Sequence, residues 1–232
     1  MRFPSPFALA VAFVLAGCAT SPPPAPVVPP DASDWQPFAL PGKANTRYEW
    51  AEKDGRRAVK ASADRSASLW RKRVVDATAQ KAGEVRFSWW VQDMAPGADI
   101  ADADQADAPV RVMFGFDGNV ASLPLSTRMM FDLAQALTGE SPPYATLVYV
   151  WDPKRPVGTV VRNPRSDRIR NLVVDSGPEQ LGRWRDHRRN LAADFRLAFG
   201  EEPGPLTTIA LMTDSDNTHS RATAWYGPVE LH

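Results

Sequence analysis

Apolar and polar side chains alternate with a period of two along most of this chain. Val85, Phe87, Trp89 and Val91 fall on one side of a strand, and Arg86, Ser88, Trp90 and Gln92 on the other. Residues 110–116 repeat the pattern, with Arg111 and Met113 away from the apolar side. Further alternating stretches occupy residues 67–71, 146–151, 168–175, 207–213 and 221–231, with Gly, Pro, Asp and Asn clusters between them. Many short strands separated by turn residues predict a mainly β fold, an antiparallel sandwich. Two segments switch to helical spacing. In residues 125–138, Met129, Leu133, Ala136 and Leu137 share a face, with Ser126 or Thr127 as N-cap and Gly139 as stop; residues 191–199 predict a short helix closed by Gly200. Neither helix recurs in a strand–helix–strand unit, so a parallel sheet is not expected.

The first residues follow a different rule. Arg2 precedes an apolar run, residues 7–16, that is too short to span a bilayer, and Leu15-Ala16-Gly17-Cys18 matches a bacterial lipobox. Residues 1–17 therefore read as a lipoprotein signal peptide, with Cys18 as the site of lipidation. Acyl chains contribute roughly 0.8 kcal/mol per buried CH₂, so two or three of them anchor a domain stably. Ala19 follows the cysteine where an Asp would favour retention at the inner membrane, which points to the outer membrane and its periplasmic face. Residues 18–34 are proline-rich and extended, a semi-rigid tether. Residues 35–232 remain for one globular domain.

Composition narrows the partners. Lys plus Arg and Asp plus Glu both number 27, so no basic excess favours nucleic acid. Cys18 is the only cysteine, so no disulfide staples the domain. There is no Gly-x-Ser-x-Gly elbow, no HExxH pair and no Gly-rich phosphate loop.

Several stretches resemble a known bacterial family: TLVYVWD (146–152), Gly182-x-Trp184, RNLAADFRLAFGEEP (189–203), IALMTDSDNT (209–218) and AWYGPVEL (224–231). Weaker matches begin at Trp35 and run through residues 108–116. The chain resembles DUF3047, a family of secreted or anchored proteins of unknown function. The resemblance implies a galactose-binding-like or lectin-like, jelly-roll sandwich. It brings no catalytic residue.

Two sites of candidate chemistry stand out. The stretch LMTDSDNTHS (211–220) reads as a hairpin loop between two strands, with Asp, Asn and Ser bonding nearby backbone. Its second reading is a structural calcium site held by Asp214, Asp216 and Asn217. On the strand faces, Arg86, Trp90, Arg111 and Trp225 could stack on a sugar ring and bond its hydroxyls, unless the 125–138 helix covers Trp90. The acidic loop 98–109 and the basic run 183–189 read as solvated surface. The resulting expectation is a non-catalytic module for a carbohydrate or cell-envelope component. The alternatives are a scaffold for an envelope protein and a glycan hydrolase built on two carboxylates, with Asp214 as one of them.

Overall fold

The structure, a computed structural model, describes Met1, residues 34–76, Lys81 and residues 83–232. The signal peptide, Cys18 and the proline tract lie outside the described residues. What is described is a sandwich of two sheets. One sheet is seven-stranded, in the order β1 (Gln36–Ala39), β4 (Ser68–Arg73), β11 (Leu206–Met212), β6 (Arg111–Phe116), β7 (Ala145–Asp152), β9 (Ser166–Ser176), β8 (Val160–Asn163). The other is six-stranded, in the order β10 (Trp184–Asn190), β5 (Glu84–Val91), β12 (Arg221–Tyr226), β3 (Arg56–Asp64), β2 (Arg47–Lys53), with β13 (Glu230–Leu231) also paired to β5. The chain crosses repeatedly from one sheet to the other, as in a jelly roll. All pairs are antiparallel except β7 with β9.

The period-two reading places the core correctly. Val85, Phe87, Trp89 and Val91 meet Val112, Phe114, Phe116, Tyr149 and Leu211 between the sheets. Phe87 stacks on Tyr149, with ring centroids 5.4 Å apart, and Phe114 meets the same tyrosine edge-on at 5.3 Å. The helix α2 (Leu191–Phe199) closes one end of this core with Leu191 and Phe195. Its cap is Asn190, whose side chain accepts from the Ala193 N–H, and Gly200 ends it at φ 74° in the left-handed region.

Helix α1 (Leu125–Thr138) has the expected span and the expected glycine stop, but Pro124, not Ser126 or Thr127, occupies its N-cap position. Its apolar stripe faces outward: Leu125, Met129, Leu133 and Leu137 are each about 60 % exposed. The helix does not cover Trp90. Replacing Met129 and Leu133 by Gln is expected to change the stability by no more than about 0.5 kcal/mol, because no buried area is lost; urea unfolding measures this.

Two surface readings are corrected. The acidic stretch 98–109 is not a solvated connection. Its Asp side chains turn the backbone locally, Asp99 accepting from the Ala101 N–H and Asp102 from the Asp104 N–H. The small apolar residues between them then pack: Ile100 and Ala108 form a second core with Val150, Val161 and Val173. The basic run 183–189 is strand β10 from Trp184 onward, and only its alternate residues Arg185, His187 and Arg189 turn away from the surface, as described below.

Candidate functional site

The six-stranded sheet has one side in the core and one side toward solvent. On the solvent side, strand register lines up Trp184, Trp90, Trp225, Lys60 and Glu49, one from each of five neighbouring strands. Trp90 and Trp225 meet edge to face, with centroids 4.9 Å apart and planes at 88°. The Lys53 ammonium lies 4.0 Å from the Trp90 ring centroid and 5.2 Å from that of Trp225. Trp184 donates from Nε1 to the Lys53 carbonyl at 3.1 Å, and the Arg56 guanidinium lies 5.2 Å from its ring. Trp90 is therefore buried by its own neighbours on the face, at 8 % exposure, and its Nε1 has no partner among the described residues. Trp225 and Trp184 keep half-buried rings. Trp90 supports; the other two offer surface.

The cations reach this row through a turn. Lys53 and Arg56 face each other across Asp54-Gly55, a two-residue hairpin whose turn residues have φ 51° and 76°. Positive φ at both positions is what Asp-Gly supplies. That dipeptide is a hairpin signal visible in the sequence, though the strand stretches named above do not include β2 and β3.

Two residues along the strands, the row gives way to small side chains. Ser88, two residues from Trp90, faces Gly227, whose N–H donates to the Ser88 carbonyl at 2.9 Å. A Cβ on residue 227 would come within 2.2 Å of the Ser88 Oγ, so a side chain there would push the serine aside and fill the dip. The dip belongs to a cavity of about 570 Å³ lined by Arg56, Arg57, Arg86, Asp186 and Arg188 as well. Asp186 pairs with Arg56 at 2.6 Å.

Strand β10 holds the far wall, and buried carboxylates hold β10. Its residues alternate. Trp184, Asp186 and Arg188 face the solvent side, while Arg185, His187 and Arg189 reach buried acids. Asp175 on β9 of the opposite sheet accepts from Trp89 Nε1 at 2.8 Å through Oδ2, which also lies 2.9 Å from His187 Nε2, and from Arg185 Nη2 at 3.0 Å through Oδ1. Burial pushes the Asp175 carboxyl up, but the bonds from His187, Arg185 and Trp89 outweigh it and hold it below its usual range. Asp194 of α2 takes Arg189 at 2.7 Å and the Tyr149 hydroxyl at 2.6 Å. Sequence reading missed this strand because its apolar content is low; the alternation is carried by charged residues whose partners lie far along the chain.

The second candidate, the 211–220 stretch, is not a hairpin. Strand β11 lies in the seven-stranded sheet and β12 in the six-stranded one, so residues 213–220 cross between layers. A crossing at the end of a sandwich passes through packed ground, and Thr213, Asp214 and Ser215 are buried. Their backbone is satisfied there: Asp214 N–H donates to the Ala108 carbonyl and Ser215 N–H to that of Ser66. Arg111, expected on a ligand face beside Trp90, lies on the other sheet under the 98–109 segment. It grips Asp214 with Nε at 3.2 Å and Nη2 at 3.1 Å, and it also donates to the Ala106 carbonyl. Asp214 is thus withdrawn from any cleft, which removes it as a glycosidase acid. Burial raises its carboxyl to about 6 despite Arg111, with Asp107 and Asp216 adding to the rise.

Asp107, from the acidic stretch 98–109, is the member that the reading of residues 211–220 did not include. Oxygens of Asp107, Asp214 and Asp216 lie within 4.8 Å of one another, the arrangement a cation would need. Protein groups already occupy them. Asp107 accepts from the Asn217 and Thr218 N–H groups and the Thr218 hydroxyl, and Lys43 pairs with Asp216. Asn217 turns its amide NH₂ to the Ala103 carbonyl at 3.0 Å. Calcium is expected to leave the melting temperature unchanged, because it would have to displace Lys43; a rise on calcium addition, read by calorimetry, would overturn this.

Of the four residues expected to share a ligand face, the structure thus brings together Trp90 and Trp225, sets Arg86 farther along the same side, and removes Arg111. Among solved structures, the chain resembles the family 11 carbohydrate-binding module of the cellulosomal cellulase Lic26A-Cel5E of Clostridium thermocellum, with 8 % identity and a TM-score of 0.42 over 85 % of this chain and 86 % of that one. It also resembles two structures of the family 11 xylanase of Neocallimastix patriciarum. One is a loop-swap mutant of Xyn11A, at 10 % identity and a TM-score of 0.36 over 86 % of this chain and 95 % of that one. The other stands at 10 % and 0.35 over 85 % and 99 %. At such identities the likeness says nothing of a ligand. No curated protein matches the chain. The chain belongs to the DUF3047 family of proteins of unknown function, whose model matches residues 33–230 and so takes in both sheets, the tryptophan row and the buried carboxylates.

Proposed function

We propose that the protein is a non-catalytic binding module for a carbohydrate or related cell-envelope component, held at the periplasmic face of the outer membrane by a lipid anchor on Cys18. One observation carries the binding reading: the in-register row of Trp184, Trp90 and Trp225, continued by Lys60 and Glu49, on the solvent side of a sheet that neither helix covers. Aromatic rings give a sugar's apolar face a stacking surface. Lysine, carboxylate and hydroxyl groups beside them bond its hydroxyls. The Lys53 ammonium above Trp90 keeps that ring covered, so contact falls to Trp225 and Trp184.

A glycan array with the purified protein tests this. Trp225→Ala is expected to lose up to about tenfold in affinity, the size of one stacking contact, while the fold persists because the ring lies outside the core between the sheets. Unchanged binding in both Trp225→Ala and Trp184→Ala would remove the reading. The anchor has its own test: labelled palmitate should enter the wild-type chain in cells and not Cys18→Ala.

A further inference from the structure

The ligand of this face has a definable charge. Resting on the carbohydrate reading above, we infer that the cavity beside the tryptophan row receives an anionic group, a carboxylate or a phosphate, borne by an acidic saccharide. Arg188 on β10 stands directly opposite Arg86 on β5. Like charges at facing positions destabilise a sheet, and here the two guanidiniums share a single carboxylate. Arg86 reaches one oxygen of Glu84 through Nε at 3.0 Å, and Arg188 reaches the other, also through Nε. The terminal Nη groups of both have no hydrogen-bond partner among the described residues. Both side chains are exposed, at 50 % and 69 %. Arg57 lines the same cavity, is exposed, and pairs with no carboxylate among the described residues.

The lining carries four arginines, Arg56, Arg57, Arg86 and Arg188, against two carboxylates, Asp186 and Glu230, with Glu84 beside it shared by Arg86 and Arg188. Asp186 is already taken by Arg56. A planar fork of N–H donors matches a carboxylate or phosphate in two-bonded fashion, which a neutral hydroxyl cannot use fully. The floor between these arginines and the rings is the Ser88–Gly227 dip, across which Arg56 of β3 pairs with Asp186 of β10. A saccharide whose ring rests on Trp225 or Trp184 can therefore lay its charged substituent over the dip and onto Arg86 and Arg188.

Binding of oligogalacturonate, its methyl ester, a neutral xylo-oligosaccharide and mannose 6-phosphate to the full-length protein tests this by calorimetry. The acid form should bind at least about tenfold tighter than the ester, and more weakly as salt rises. The double variant Arg86→Gln, Arg188→Gln should lose that preference while still folding, and the corresponding Lys pair should restore part of it. Mannose 6-phosphate binding in place of uronate, lost in the same double variant, supports the site with phosphate as the source of charge. Equal binding of acid and ester, or an acid preference indifferent to the double variant, overturns the anionic site and leaves the carbohydrate reading standing. Binding of none of the four overturns the anionic site, while the carbohydrate reading stands or falls with the glycan array.

Discussion

Arg111→Leu is expected to lower the free energy of unfolding at neutral pH by about 3–5 kcal/mol, the usual effect of stripping a buried carboxylate of its partner. Asp214 would keep only the Ala108 N–H, at 2.9 Å, in a position with 4 % exposure and with Asp107 and Asp216 close by. The same experiment at lower pH should show a smaller loss, because the carboxyl escapes the unpaired charge by taking a proton. The wild-type protein already leans that way. Its Asp214 carboxyl is raised to about 6 from an ordinary value of 3.8. The folded state thus binds the proton more tightly than the unfolded state does. This group adds stability that is fully present below the unfolded value and lost as pH rises through about 6, about 3 kcal/mol in all. Carboxyl carbon chemical shifts through a pH titration report the midpoint, and a midpoint near 4 would contradict the burial argument.

The second large effect is expected at Asp175. Asp175→Ala removes one acceptor from three donors at once, Trp89, Arg185 and His187, and leaves the indole of a fully buried tryptophan without a partner. The expected loss is about 3 kcal/mol by urea unfolding. It should come with weakened ligand binding, because β10 carries Trp184 and Arg188 on its other side. The sign with pH is opposite to that of Asp214. A carboxyl held below its usual range contributes stability above that range and loses it as pH falls through the depressed value. Acid unfolding of Asp175→Ala should therefore be less steep than that of the wild type. A variant with wild-type stability and an unchanged acid limb would show that the carboxylate pins nothing.

These two residues also show how far the sequence could be read. Asp214 was visible as chemistry but placed in the wrong surroundings. A strand ending at Thr213 and another starting at Arg221 look like a hairpin whenever the local pattern is all that is known, and nothing in residues 214–220 says that the next strand belongs to the other layer. Asp175 was not singled out at all, since an acid at the end of an apolar run looks like a strand terminus. Arg111 sat in the alternation where a solvent-facing residue belongs. It does face outward from its sheet, and only the 98–109 segment, folded back by its own aspartates, turns that outward face into interior.

The amino-acid order by itself determined the sandwich class and the side to which each strand turns its residues. Period-two alternation put Phe87 and Trp89 inward and Trp90 outward, and set Trp225 and Tyr226 on opposite sides, because a pleated strand has no other way to distribute its side chains. Glycine at 139 and 200 fixed where both helices stop, for want of another residue that accepts a left-handed backbone at so little cost. Tertiary structure alone decided which outward residues meet water. Register between strands far apart in the chain brought Trp184, Trp90 and Trp225 into one row, and crossings between sheets buried Asp214 while leaving Arg86 and Arg188 bare. Local pattern sets the direction in which a side chain points. What lies in that direction depends on segments a hundred residues away, and no local pattern encodes them.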